Sequence, residues 1–112
     1  MESKFKYQLT QKAEMDLSDI IEYIVVRLSN PKAATDFIDK IQDAIEEARL
    51  FPQSGLTVVN EFLSNQDIRK KLVDNYIMYY LPDFSEKNII VLRIVHGRQN
   101  MDDILRKLDM KN

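Results

Sequence analysis

Only Asp74 and Asn75 separate the strand-like stretch at 68–73 from the next at 76–81, and this spacing decides how both must fold. Asp and Asn tolerate the left-handed backbone of a two-residue hairpin turn, so the two runs read as adjacent antiparallel strands. The turn length also fixes the register: Val73 lies opposite Tyr76, Lys71 opposite Met78, and Arg69 opposite Tyr80. Side chains alternate across a strand, so these residues share one face, while Ile68, Lys70, Leu72, Ile77, Tyr79 and Leu81 share the other.

A looser hairpin, PDFSEKN, leads into a third strand at 89–96. Strict alternation puts Ile90, Leu92, Ile94 and His96 on one side and Ile89, Val91, Arg93 and Val95 on the other. An unpaired guanidinium beneath a helical layer is costly to desolvate, so Arg93 is expected on the uncovered face. The set containing Ile77 and Tyr79 is the more apolar and is expected to meet the helices. The open face would then display Arg69, Lys71, Tyr76, Met78, Tyr80 and Arg93. His96 falls at the covered edge, where Gly97 would break the alternation and swing Arg98 outward.

Upstream, FKYQL at 5–9 alternates Phe5, Tyr7 and Leu9 with polar neighbours and reads as a short strand. Thr10 is placed to cap a helix running to about Leu28, with Ala13, Leu17, Ile20, Ile21, Ile24 and Leu28 on one face. Asn30 caps a second helix over 31–50, and Pro31 fits its first position, where a missing N–H costs nothing. Ala34, Phe37, Ile38, Ile41, Ala44, Ile45 and Ala48 lie on its apolar side and are expected to be buried. So short a connection makes an antiparallel helical hairpin. Pro52 and Gly55 end it, 53–66 reads as a loop, and DDILRKLDM as a short terminal helix. The reading is an α+β fold in β-α-α-β-β-β order, one domain over 1–112, with the helical hairpin on one face of a mainly antiparallel sheet.

Chemistry is constrained as much as shape. The chain has no cysteine and one histidine, which removes disulfides, thiolate metal sites and most nucleophilic triads. No phosphate-binding glycine loop, nucleophile elbow or zinc spacing occurs. The acidic stripe Asp36, Asp39, Asp43, Glu46 and Glu47 on the second helix lacks histidine partners and reads as a solvated face, so neither a metal nor a cofactor is expected. Residues 1–56 carry seven basic and ten acidic side chains, and 57–112 nine and eight, which puts any anion site in the second half. MESKFKYQL has no apolar leader and no segment reaches the length of a membrane span, so a cytoplasmic protein without membrane partners is expected. Arg93 has a plainer reading as a solvated strand residue, His96 as a structural hydrogen-bond partner, and the tyrosines as packing residues.

The element order, LTQKAEMDLSDIIEYI at the first helix, the FPQSG break, and IRKKLVDNYIMYYLPD followed by IIVLRIVHGRQNMDDIL together resemble the RelE/ParE superfamily of type II toxin–antitoxin toxins. The resemblance covers nearly the whole chain. It implies a growth-inhibiting toxin neutralised by a cognate antitoxin. RelE-like members cleave mRNA on the ribosome; ParE-like members poison DNA gyrase and stabilise plasmids.

RNA cleavage through the 2′-hydroxyl needs a base, an acid and cations for the phosphate. Where RelE-like toxins place an arginine after the aromatic that opens the middle strand, this chain has Ile77, and MDDIL lacks their terminal tyrosine. Arg98 matches a RelE-like basic position, Arg69 and Lys71 match basic strand positions, and His96 aligns with a histidine of one ribonuclease subgroup. If the chain cleaves RNA, Arg69, Lys71, Arg93, His96 and Arg98 are the catalytic candidates. YIMYY and VLRIVHGRQ are similar to ParE-like sequences, and that branch implies a gyrase inhibitor without bond chemistry of its own. Arg69, Lys71, Tyr76, Tyr80, Arg93 and Arg98 would then form the surface for target or antitoxin. The alternatives are a ribosome-dependent ribonuclease and an inactive antitoxin-binding homologue.

Overall fold

The Asp74–Asn75 turn closes as its length requires, with Asp74 at φ 56°. Strand β3 (Arg69–Val73) pairs antiparallel with β4 (Tyr76–Asp83) in the predicted register, Val73 to Tyr76, Lys71 to Met78 and Arg69 to Tyr80. The computed structural model describes residues 4–58 and 67–97; the expected terminal helix and Arg98 lie outside them. Strand β5 (Asn88–His96) returns beside β4, and β1 (Lys6–Leu9) runs parallel to β5. One strand was not foreseen: β2 (Leu56–Thr57), inside the stretch read as a loop, pairs with Lys70 and Arg69. The sheet order is β1-β5-β4-β3-β2.

At the β4–β5 turn the Asp83 carboxylate accepts the Glu86 N–H (3.1 Å) and the Ser85 hydroxyl (2.8 Å). These bonds hold its pKa below the ordinary aspartate value.

Helix α1 (Gln11–Glu22) begins where Thr10 Oγ1 accepts the Ala13 N–H at 3.1 Å. It ends earlier than its periodicity suggests, because Tyr23–Arg27 form a π-turn whose wider hydrogen bonding takes the Leu28 N–H to the Tyr23 carbonyl at 3.2 Å. Leu28, expected inside, is therefore 54% exposed. Helix α2 (Pro31–Leu50) matches its predicted limits, with Asn30 Oδ1 accepting the Ala33 N–H at 3.1 Å. Ala34, Phe37, Ile41, Ile45 and Ala48 are buried as their spacing requires, while Ile38 and Ala44 are only partly buried.

The helices cover the sheet face opposite to the expected one. Their apolar sides pack on Val73, Met78, Tyr80, Ile89, Val91 and Ile94 in one cluster. Ile68, Ile77, Tyr79 and Val95 form a second cluster with Val58, joined by Leu81 and Leu92. Both faces are apolar, so comparing their hydrophobicity cannot say which one the helices take. The alternation also breaks sooner than Gly97. Arg93 pairs with Tyr79, yet Val91 pairs with Tyr80, which leaves Leu92 as the extra residue of a β-bulge. Ile89 and Val91 before the bulge thus share the helical face with Ile94 after it.

The FPQSG break is pinned from beneath. The Tyr80 hydroxyl donates to the Pro52 carbonyl (2.8 Å) and accepts the Gly55 N–H (2.9 Å). A Cβ on Gly55 would lie 2.6 Å from that hydroxyl oxygen and 3.0 Å from the Lys70 carbonyl, so only glycine fits. Gly55→Ala is expected to destabilise the fold by about 1–3 kcal/mol through overpacking, seen as a lower urea midpoint at unchanged slope. An unchanged midpoint would show that the loop moves aside without cost.

Candidate interaction surface

The first consequence of the inverted face is that the expected cationic platform does not exist as an open surface. Met78 and Tyr80 are fully buried beneath the helices. Tyr76 is partly buried against Phe37, the rings meeting edge-to-face at 5.2 Å. Burial pushes the phenols of Tyr76, Tyr79 and Tyr80 above the ordinary tyrosine range, so near neutral pH they act as hydrogen-bonding groups and not as phenolate bases.

Each expected cation within the described residues has internal work. Arg69 reaches the Asp67 carboxylate (3.1 Å) and donates Nη1 to the Gln53 and Gly55 carbonyls, both at 3.0 Å, closing the far side of the FPQSG loop. Lys71 ion-pairs with Glu47 on α2.

Arg93 forms a two-pronged pair with Asp16 on α1, Nε to Oδ2 at 2.7 Å and Nη2 to Oδ1 at 3.0 Å. The same Oδ2 accepts the Ile94 N–H at 3.0 Å. The hydrogen bond to Asp16 raises the arginine pKa further, against the opposing effect of burial. By register Arg93 stands beside Tyr79, on the face away from the helical cluster, as expected. Its guanidinium nonetheless reaches α1, where a bidentate carboxylate partner offsets the cost of leaving water.

His96 stands at the covered edge as expected, its ring edge-to-face with Tyr76 at 5.4 Å. It lines a cleft of about 490 Å³ together with Tyr23, Phe37, Tyr76 and Asp74. Tyr23 and Asp16 were not foreseen as site residues. Asp16 was legible in principle: an acid beside the apolar stripe of a sheet-packing helix seeks a cation on the sheet. A second groove, of about 630 Å³, runs between α2 and β3, lined by Lys40, Asp43, Glu47, Leu56, Lys70 and Leu72. Leu56 and Leu72 are 62% and 70% exposed there. Among the described residues no group of His, Cys, Asp and Glu is arranged to hold a metal ion.

The Asp16–Arg93 pair makes a distinct prediction. Its side chains are only 16% and 14% exposed, nearer to a buried pair than a surface one. Asp16→Ala strands both the guanidinium and the Ile94 N–H and should cost about 3 kcal/mol in chemical denaturation. Arg93→Met should cost less, and the double variant should recover part of the loss of Asp16→Ala. Strict additivity in that cycle would refute the coupling.

Comparison with known proteins follows this geometry. A family model described as the ParE toxin of the type II toxin–antitoxin system parDE matches residues 7–101. No curated protein sequence matches the chain. Among solved structures, the chromosomal ParDE toxin–antitoxin system from P. aeruginosa aligns with TM-score 0.64 at 21% identity, over 83% of this chain and 96% of that one. The RelBE2 toxin–antitoxin complex from Mycobacterium tuberculosis aligns with TM-score 0.58 at 16% identity, over 84% and 99%. The archaeal RelE–RelB complex from Pyrococcus horikoshii OT3 gives 0.54 at 15% identity, over 87% and 100%. At these identities the structural likeness speaks for the fold.

Proposed function

The chain belongs to the ParE toxin family of type II toxin–antitoxin systems, and from that premise we propose that it inhibits DNA gyrase by protein–protein contact and is neutralised by a cognate antitoxin. The family match across 7–101 carries the reading. The geometry supports the non-catalytic form of it. Metal-free RNA cleavage concentrates cations on the scissile phosphate beside a proton-transfer group. Here Arg69, Lys71 and Arg93 are each committed to a carboxylate within the chain. The cleft that holds His96 is lined by no arginine or lysine among the described residues. Ile77, where RelE-like toxins resemble one another in having arginine, is buried in the second apolar cluster.

A gyrase inhibitor needs none of that machinery; it needs a shaped surface. The exposed apolar residues at the π-turn and along the α2–β3 groove provide contact area of the kind protein partners cover. Purified toxin titrated into a supercoiling assay with purified gyrase should abolish supercoiling at saturation. Supercoiling that continues unchanged, with ribosome-positioned mRNA cleavage after induction in cells, would replace this reading with the ribonuclease one.

A further inference from the structure

The cleft at the tip of the helical hairpin has an unusual lining. Tyr23 comes from the π-turn, Phe37 from α2, Tyr76 from the start of β4 and His96 from the end of β5. Three of these rings form a bent wall: Phe37 and Tyr76 meet at 61°, and Tyr76 and His96 at 78°. Tyr23, 47% exposed, stands close enough to act electrostatically on the Tyr76 phenol. Ile24, Leu28 and Ala33 supply the aliphatic remainder, and Asp74 and Asn75 the rim. Lys40 engages Asp74 through Oδ1 at 2.8 Å.

Aromatic walls with a carboxylate at the rim, and neither lysine nor arginine among the described lining residues, favour a cation over an anion or a purely apolar group. The wider surface agrees. The helices and the turn between them, residues 11–50, carry nine acidic and five basic side chains, a field that draws basic partners. A guanidinium stacks on aromatic faces and is more weakly hydrated than an ammonium, so aromatic walls suit arginine better than lysine. We propose that this cleft receives an arginine side chain from a partner protein, the guanidinium lying among Tyr23, Tyr76 and His96 with Asp74 beside it. This reading rests on the cleft's lining and the acidic surface around it, and is independent of the identity of the toxin's target.

The test uses the full chain and three small probes: N-acetyl-arginine methylamide, its citrulline counterpart, which keeps the shape without the charge, and its norleucine counterpart. Aromatic NMR signals of Tyr23, Tyr76 and Phe37 report binding at the cleft. The arginine probe should shift them saturably, with the citrulline probe about five-fold weaker or more, the range of a partly exposed cation–aromatic contact. Tyr23→Leu, at an exposed position, should narrow that gap without unfolding the chain, and Asp74→Asn, which keeps a residue tolerant of the turn, should narrow it as well. Equal binding of the arginine and citrulline probes would overturn the proposal. So would a norleucine probe that binds as well as arginine, or the absence of localised shifts at tens of millimolar arginine probe.

Discussion

The carboxylate of Asp16 ties the helical layer to the sheet at the point where the sheet would otherwise fail. Strand β1 ends at Leu9, so β5 loses its parallel neighbour after Val91. The Thr10 N–H still reaches the Val91 carbonyl at 3.0 Å, and its hydroxyl donates to the Leu92 carbonyl at 2.9 Å. Asp16 then takes the Ile94 N–H and the Arg93 guanidinium nearly two helical turns later. A helix N-cap and a first-helix acid thus stand in for the missing strand, satisfying groups whose burial unpaired would cost roughly 1–3 kcal/mol each. The bulge at Leu92 lies within this repaired stretch, and everything beyond it, including the placement of Ile94 and His96, depends on the repair.

The two sheet edges are managed by similar economy. On the outer side of β1, the last turn of α2 occupies the edge: the Phe5 N–H donates to the Arg49 carbonyl at 3.0 Å and the Arg49 side chain returns Nε to the Phe5 carbonyl at 2.6 Å. The same guanidinium lies 5.3 Å from the centre of the Tyr7 ring. At the other edge, the described part of β2 pairs with Lys70 and Arg69, and the Val58 N–H continues to the Ile68 carbonyl at 2.9 Å.

Local rules and the α+β architecture were legible in the sequence; the choice of sheet face was not. Thr10, Asn30, Pro31 and the Asp74–Asn75 turn each act through a few neighbouring atoms, and each element boundary they imply is observed. The choice of face is different, because it compares two apolar surfaces of one sheet. Arg69 and Lys71 made one of them look solvated. In fact both sit at the margin of the covered face, stems inward, reaching loop carbonyls and Glu47. The bulge at Leu92 is marked by neither glycine nor proline, so nothing in VLRIVH announces the change of parity. A sequence-level rule that pairs flank acids on helices with strand cations would have found Asp16 and Glu47, and with them the correct face.

That correction changes what recognition this chain can perform. Cations held by Asp16, Glu47 and Asp67 contribute shape and stability, and detaching them to grip a phosphate would break the contacts that place α1, α2 and the FPQSG loop. Nucleic-acid affinity grows with the number of phosphates neutralised by such side chains, and committed cations add little to that number. What the described surface offers instead is aromatic and aliphatic area set in an acidic field: Tyr23, Val26 and Leu28 at the π-turn, Leu56 and Leu72 along β3. Surfaces of that composition bury well against protein, where apolar anchors supply affinity and opposite charge sets orientation. Among the described residues, the ion pairs that stabilise the fold therefore also occupy cations that a phosphate would otherwise meet.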